Sequence, residues 1–511
     1  MGRAIMVQGT ASHVGKSVLV AGLCRLFRQE GLSVAPFKAQ NMALNSFATP
    51  DGLEIGRAQA VQAEAAGVAP TADMNPILLK PEGNARSQVV VQGRVLGTMD
   101  AWEYHRRTPE LWPIVEASLR RLLAAHDIVV IEGAGSPVEV NLRHMDIVNM
   151  RVAEAVSAPV LLVADIDRGG VFAALVGTME LLEPSQRELV AGFVINKFRG
   201  DPSLFDEGVV FLEERLARPV LGVVPWIEGL GIAEEDSLGL PVPIPVNGAA
   251  PRAPRIDVAV IRLPHISNFD DFDPLAIRPG VRLRYVDRVA DFGHPDLVIL
   301  PGTKTTRTDL EFLRERALDR AVLSHAAGGG AIVGICGGYQ MLGERIEDPD
   351  GVEGIPGCSE GLGLLPSVTW YATRKATHQV RGRVESALGP LAAASGTLLS
   401  AYEIHMGRTE SRGTAPFSTA LFSIEDGSSG PRPEGIVSAD GRIVGTYLHG
   451  LFRNGPLLDA LVEWLADRKG IVLPSSSVPA DPYDRLAETL RATLDIDRLR
   501  ALVGILAVSR D

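Results

Sequence analysis

The chain has 511 residues, too many for one ordinary core, which predicts two or three domains. It is 46% hydrophobic and 22% charged, which excludes a disordered polymer. A net charge of −12, with no basic stripe interleaved with aromatics, argues against a nucleic-acid partner. The longest apolar runs, at 127–135 and 159–166, are strand length and fall short of the ~20 residues that span a bilayer, so no membrane partner is expected. The opening MGRAIMVQGT enters a strand-like segment without the basic start and apolar middle of a signal peptide. Three cysteines cannot build a disulfide framework. These features together predict a cytoplasmic location.

In chain order, strand-like runs at 4–8, 33–37, 128–132, 160–165, 190–196 and 220–225 alternate with helix-like segments. Continuous Val/Ile/Leu runs separated by helices predict an α/β fold, a parallel sheet with helices on both faces. Residues 237–255 hold five prolines and read as a linker, because proline at that density blocks both helix and central strand. The strand pattern restarts at 256–261, 281–286, 297–302 and 331–336, then becomes more mixed at 367–372, 397–404 and 442–450. Leu486, Leu490, Leu494, Leu499 and Leu502 predict amphipathic helices near the C-terminus. The expected organisation is a domain over 1–236, the linker, a second α/β domain over 256–460, and a helical extension over 461–511.

Residues 9–17 read GTASHVGKS between a strand and a helix-like run. This is a phosphate-binding loop one residue longer than the usual spacing. The small residues, including Gly9, Thr10 and Gly15, let backbone N–H groups approach phosphate oxygens. Lys16 supplies a cation to the β/γ-phosphates of ATP, and the Ser17 hydroxyl can ligate Mg²⁺. His13 reads as a spacer inside the loop. Glu132 ends an apolar strand at its carboxyl side, where α/β sheets bind ligands.

Residues 334–338 read GICGG after a strand, a cysteine nucleophile elbow. Cys336 would attack the side-chain amide of glutamine, and the N–H of Gly337 would face the oxyanion. Cys24 lies in an apolar helix-like run and reads as core, and Cys358 as loop. A base must accompany Cys336. His449, in GTYLHGLF, stands at the end of another strand-like run.

The extended loop resembles the dethiobiotin synthetase branch of P-loop proteins. That resemblance implies that Lys38 contacts the transferred phosphate, that Glu132 and Glu54 are acidic Mg²⁺ ligands, and that Asn196 reads the nucleotide base. The order of Cys336 and His449 resembles the class I glutamine amidotransferases, in which PGTKTT (301–306) would give the second oxyanion N–H, with Gly302 and Thr303 as candidates. Many of those enzymes carry a glutamate two residues after the histidine; here that position is Leu451. A Cys–His dyad is therefore expected, with Glu403 or His405 in YEIHMG as candidate helpers.

Both modules in one chain resemble the corrinoid amidotransferases. The resemblance covers nearly the whole chain, through FKAQNMALNS (37–46), GRAQAVQAEAAG (56–67), MNPILLKP (74–81), DIDRGGVFA (165–173) and YEIHMGRT (402–409). It implies a corrinoid small-molecule substrate amidated at four peripheral carboxylates, each step using one ATP, with L-glutamine as ammonia donor. It also offers Arg57, Gln59, Asn75, Lys80, Asp167 and Arg168 as corrinoid contacts and leaves homo-oligomerisation open. The nearest alternative is the sibling enzyme that amidates the a and c positions. A lipid-linked cell-wall amidotransferase usually divides the modules between two chains. A ParA-like regulatory ATPase with an inert glutaminase-like domain would need neither Cys336 nor His449.

Overall fold

Runs rich in valine, isoleucine and leucine set the central strands of both halves. The computed structural model describes residues 2–83, 85–232, 255–412, 420–425, 430–474 and 481–505. Apart from Arg255, the expected linker lies outside the described residues. The chain divides into two compact units.

The first unit comprises Met1–Ala43, Leu53–Glu235 and Pro479–Asp511. Its main sheet has six parallel strands in the spatial order Val220–Pro225, Val190–Phe198, Val160–Asp165, Arg3–Gly9, Ile128–Glu132 and Val34–Phe37. All six were anticipated from the apolar runs. Strand Ile128–Glu132 is buried along its whole length, as expected of a sheet covered on both faces. Arg3–Gly9 lies centrally and hands the chain at its carboxyl end to helix Lys16–Gln29. The order of connections reverses beside this strand, which makes the carboxyl edge there the natural ligand crevice.

A second, four-stranded sheet of Gln40–Met42, Ile77–Gly83, Arg86–Val91 and Arg94–Asp100 has no counterpart among the expected strands. Proline and glycine interrupt its sequence, and its outer strand is largely exposed, so the periodic signal is weak.

The second unit comprises Leu44–Gly52 and Asp236–Val478. Five parallel strands run in the order Val281–Val286, Ile256–Ile261, Leu297–Leu300, Ala331–Ile335 and Ile443–Thr446. The sheet continues beyond Ile443–Thr446 through antiparallel strands, including the long pair Ser367–Val384 and Leu398–Ser411. Cys358 lies on a short exposed strand, Gly357–Glu360, rather than in a loop, because Arg345–Asp348 pairs with it. Cys24 is fully buried as expected.

The expected C-terminal extension divides in the structure. Helix Gly455–Lys469 belongs to the second unit's core. Helices Pro482–Thr493 and Ile496–Leu502 belong to the first unit, where Leu486, Leu490 and Leu499 pack among residues of helix Lys16–Gln29. Burying each such leucine contributes roughly 1.5–3 kcal/mol, so these helices act as part of that core. Asp481 and Asp484 fasten them, each 2.6 Å from the Arg25 guanidinium.

Candidate active sites

In the first unit, the loop between Arg3–Gly9 and Lys16–Gln29 wraps the end of the central strand. Thr10 N–H donates to Val163 O at 2.9 Å, which fixes where the loop leaves the sheet. Gly15 has φ +96°, in the left-handed region, and a Cβ there would lie 2.2 Å from Asn196 Nδ2. Only glycine meets both demands. Asn196 itself donates to Val14 O at 2.8 Å, so it sits against the loop. Lys16 Nζ donates to Ala11 O at 3.0 Å and Gly135 O at 3.2 Å, which folds the ammonium over the loop.

Glu132 is the hub of this site and is fully buried. Its Oε1 accepts from Ser17 Oγ at 2.8 Å and Lys38 Nζ at 2.9 Å, and its Oε2 from Gln62 Nε2 at 2.5 Å. A buried carboxylate is tolerated there because it is paired and hydrogen-bonded. Four residues from four segments therefore converge; Gln62 was not singled out, being one polar residue among many on its helix. The donor set of a hydroxyl and carboxylate oxygens fits Mg²⁺, which takes hard oxygen ligands. Glu54 is placed differently: it is buried and pairs with Lys80 at 2.8 Å.

The residues offered as corrinoid contacts fall into two groups. Gln59 accepts from Asn41 at 3.1 Å. Asn75 accepts from Gly56 N–H and donates to the carbonyls of Lys38 and Ile77, a full structural role. Arg57 and Lys80 are buried. Asp167 pairs with Arg199 at 2.6 Å, and Arg168 is exposed.

In the second unit, Cys336 stands between strand Ala331–Ile335 and helix Gly337–Leu342 with φ +51° and ψ −107°. A non-glycine residue in that region is strained, and an elbow that lifts its side chain clear of the backbone accounts for the strain. Gly338 permits the turn: a Cβ there would lie 1.9 Å from Leu300 O. Cys336 Sγ is 3.7 Å from Ile404 O, and the residue is 7% exposed.

The 301–306 loop flanks the elbow. A Cβ at Gly337 would lie 3.1 Å from Thr303 N, and one at Gly302 would lie 3.0 Å from His449 Cε1. Thr303 pairs with Ile266 in a bridge whose hydrogen bonds run from Ser267 to Gly302 and from Lys304 to His265. The Thr303 N–H is not used by that bridge and sits next to Gly337. Thr303 N thus lies beside Gly337, and these two residues are candidates for the oxyanion donors.

His449 is almost fully buried and interacts electrostatically with Cys336. The expected dyad gains a third group: Asp271 Oδ2 lies 2.7 Å from His449 Nδ1, and Asp271 Oδ1 accepts from Gly450 N–H at 2.7 Å. Burial disfavours the charged ring, but the charge and hydrogen bond of Asp271, with smaller contributions from Cys336, raise its pKa to about 10. Asp271 occupies the role left open by Leu451. The only sequence signal was the acidic cluster NFDDFDP, which does not say which aspartate reaches the histidine. Glu403 and His405 do not take that role. Glu403 pairs with Arg432, while His405 Nδ1 lies 2.7 Å from Gly407 O and its ring stacks on Tyr447.

The pKa of His449 has a testable consequence. The imidazolium is held below about pH 10 and lost above it, so the alkaline limb of glutaminase activity is expected near pH 10. Asp271→Asn removes the carboxylate and should move that limb toward neutral pH while lowering kcat by roughly 10²–10⁴-fold. A pH profile of glutamine hydrolysis checks both; an unmoved limb rejects the pairing.

Glu434 supports the strand that carries His449. Its carboxylate accepts from Thr446 Oγ1 and from Tyr447 N–H, each at 2.7 Å. Burial, then the charge of Glu403, pushes its pKa up to about 8. A folded-state pKa above the unfolded value gives stability that is present below about 4.5 and lost as pH rises through about 8. The melting temperature of the wild type is therefore expected to fall between about pH 5 and pH 8, and Glu434→Gln to flatten that fall. Parallel wild-type and variant melting curves against pH would count against this.

Residues 5–240 match the family described as CobQ/CobB/MinD/ParA nucleotide binding domain, and residues 257–457 match the CobB/CobQ-like glutamine amidotransferase domain. The chain is 53% identical to cobyric acid synthase of Sorangium cellulosum, covering 98% of each chain. It is 50% identical to cobyric acid synthase of Desulfitobacterium hafniense, again over 98% of each, and 47% identical to that of Dehalococcoides mccartyi over 99% of each. Among the described residues no helix is long and apolar enough to cross a membrane. With both modules matched and near half of all positions identical end to end, the chain belongs to the cobyric acid synthase family of glutamine-dependent amidotransferases.

Proposed function

We propose that this protein converts adenosylcobyrinic acid a,c-diamide to adenosylcobyric acid in the cytoplasm, amidating four peripheral carboxylates at the expense of glutamine and ATP. The observation that carries this reading is the end-to-end identity to relatives bearing the name cobyric acid synthase. Residues 1–236 would activate the carboxylate and residues 256–460 would supply ammonia.

Ammonia release begins with attack of the Cys336 thiolate on the glutamine amide carbon. The N–H groups of Gly337 and Thr303 take the oxyanion, with Gly302 shaping the loop. His449, oriented by Asp271, gives its proton to the departing ammonia. It then accepts one from the water that hydrolyses the thioester to glutamate.

A carboxylate does not react with ammonia directly, because its leaving group is oxide. Transfer of the γ-phosphoryl of ATP gives an acyl phosphate and ADP; ammonia attacks the acyl carbon and phosphate leaves. Gly9, Thr10 and Gly15 shape the cradle for the phosphates, Lys16 and Lys38 offset their developing charge, and Asn196 faces the nucleotide. Bound Mg²⁺, which Ser17 and Glu132 would hold, supplies further charge neutralisation at the phosphates.

Incubation with the a,c-diamide, glutamine and Mg-ATP, followed by mass analysis, tests the reading. Four successive carboxyl-to-amide conversions are expected. Acceptance of unamidated cobyrinic acid, with no reaction of the a,c-diamide, would instead assign the sibling activity.

A further inference from the structure

Residues 44–52 belong to the second unit although the chain on either side belongs to the first. In sequence the stretch lies between Lys38 and Glu54. Two chains of contacts lead from it to His449.

The first is a line of hydrogen bonds. Asn45 is buried, and its Oδ1 accepts from Asn268 N–H at 2.6 Å, while Asn268 Oδ1 accepts from Ser46 N–H at 3.0 Å. This reciprocal clasp holds Asn268 in the left-handed region, at φ +53°, where a non-glycine residue needs support. Asn268 O then accepts from Asp271 N–H at 3.0 Å, and Asp271 Oδ2 meets His449 Nδ1 at 2.7 Å.

The second is a stack of rings. Phe47 lies 4.7 Å from Tyr402, and Tyr402 stacks on His449 at 5.4 Å with 24° between planes. The backbones of Tyr402 and His449 also exchange hydrogen bonds, at 2.9 and 3.2 Å. Gln379 Nε2, donating to Ala48 O at 3.0 Å, anchors the end of the segment.

We propose that Asn45 and Phe47 are positioning residues for the glutaminase: they set the placement of Asp271 and His449 opposite Cys336. A segment encoded within the nucleotide-binding half thereby completes a site otherwise built from residues more than two hundred positions later. Asn45 holds the short turn that carries Asp271, and Phe47 backs the ring that covers His449. The proposal rests on the glutaminase reading of Cys336 and His449.

The test compares glutamine hydrolysis by full-length wild type, Asn45→Ala and Phe47→Leu across pH, with ammonia-driven amidation and melting temperature measured alongside. In each variant kcat is expected to fall about tenfold with KM within about twofold, because the groups act on the catalytic pair rather than on glutamine. The alkaline limb should shift toward neutral pH by about half a unit or more, in the direction of Asp271→Asn. Ammonia-driven amidation should be retained. Phe47→Leu keeps an apolar side chain and carries the test if Asn45→Ala does not fold. Wild-type kcat in folded variants overturns the proposal, as does a fall in kcat with an unmoved limb. Joint loss of ammonia-driven amidation also overturns it, by assigning the segment to the ligase. Absence of Cys336-dependent hydrolysis in the wild type would instead reject the glutaminase reading itself.

Discussion

Cys336→Ala is expected to lower glutamine-driven amidation by ~10³-fold or more while leaving ammonia-driven amidation close to wild type. In the proposed mechanism the thiolate forms the bond to the amide carbon, and neither of its described partners, Ile404 and His449, can replace it. Ile404 O, at 3.7 Å from the sulfur, is a carbonyl, and His449 is committed to Asp271. The elbow backbone does not depend on sulfur, since Cys336 N–H is held by Thr446 O at 2.8 Å and Gly338 N–H by Pro301 O at 3.0 Å. The fold should survive the substitution. Measuring amide formation with glutamine and with ammonium chloride separates the outcomes. Loss of both activities together would show that the division of labour between the two modules is wrong.

Lys16→Ala is expected to remove both activities, by roughly 10³-fold, because every amide requires the activated carboxylate. The ammonium stands at the first turn of helix Lys16–Gln29, tied to loop carbonyls on both sides. An alanine there removes a cation from the place where phosphate charge develops and leaves nothing of similar reach. Lys38, whose Nζ lies 2.9 Å from Glu132, keeps its own place in the site and does not fill that of Lys16. Hydrolysis of glutamine alone should continue, since Cys336 does not need the phosphate loop for its own chemistry. Wild-type amidation by this variant would reject the loop as the ATP site.

These two expectations rest on features of unequal legibility. The phosphate loop and the elbow are local: each needs small residues at fixed spacing between a strand and a helix, so both appear in consecutive residues. Glu132 was legible because it closes an apolar strand at the sheet's carboxyl edge. Asp271 was not, because its partner lies 178 residues away and three aspartates share one short stretch. Gln62 was equally silent, as a polar residue on a helix signals nothing until the fold turns it toward Glu132. Glu403 and His405 looked suitable as helpers, but the strand that carries them directs Glu403 to Arg432 and stacks His405 on Tyr447.

The sequence by itself determined the two α/β modules, their order, the main parallel strands, the cysteine elbow and the phosphate-loop motif, and it offered Cys336 and His449 as candidate nucleophile and base. Each is written in short-range periodicity or in a motif whose spacing reflects backbone geometry. Tertiary structure alone decided what orients His449, where Glu54 and Asn196 point, and which core receives the last helices. It also decided that residues 44–52 join the glutaminase unit. Those outcomes depend on which distant segments share a surface, and amphipathic periodicity says that a face will be buried without saying against what.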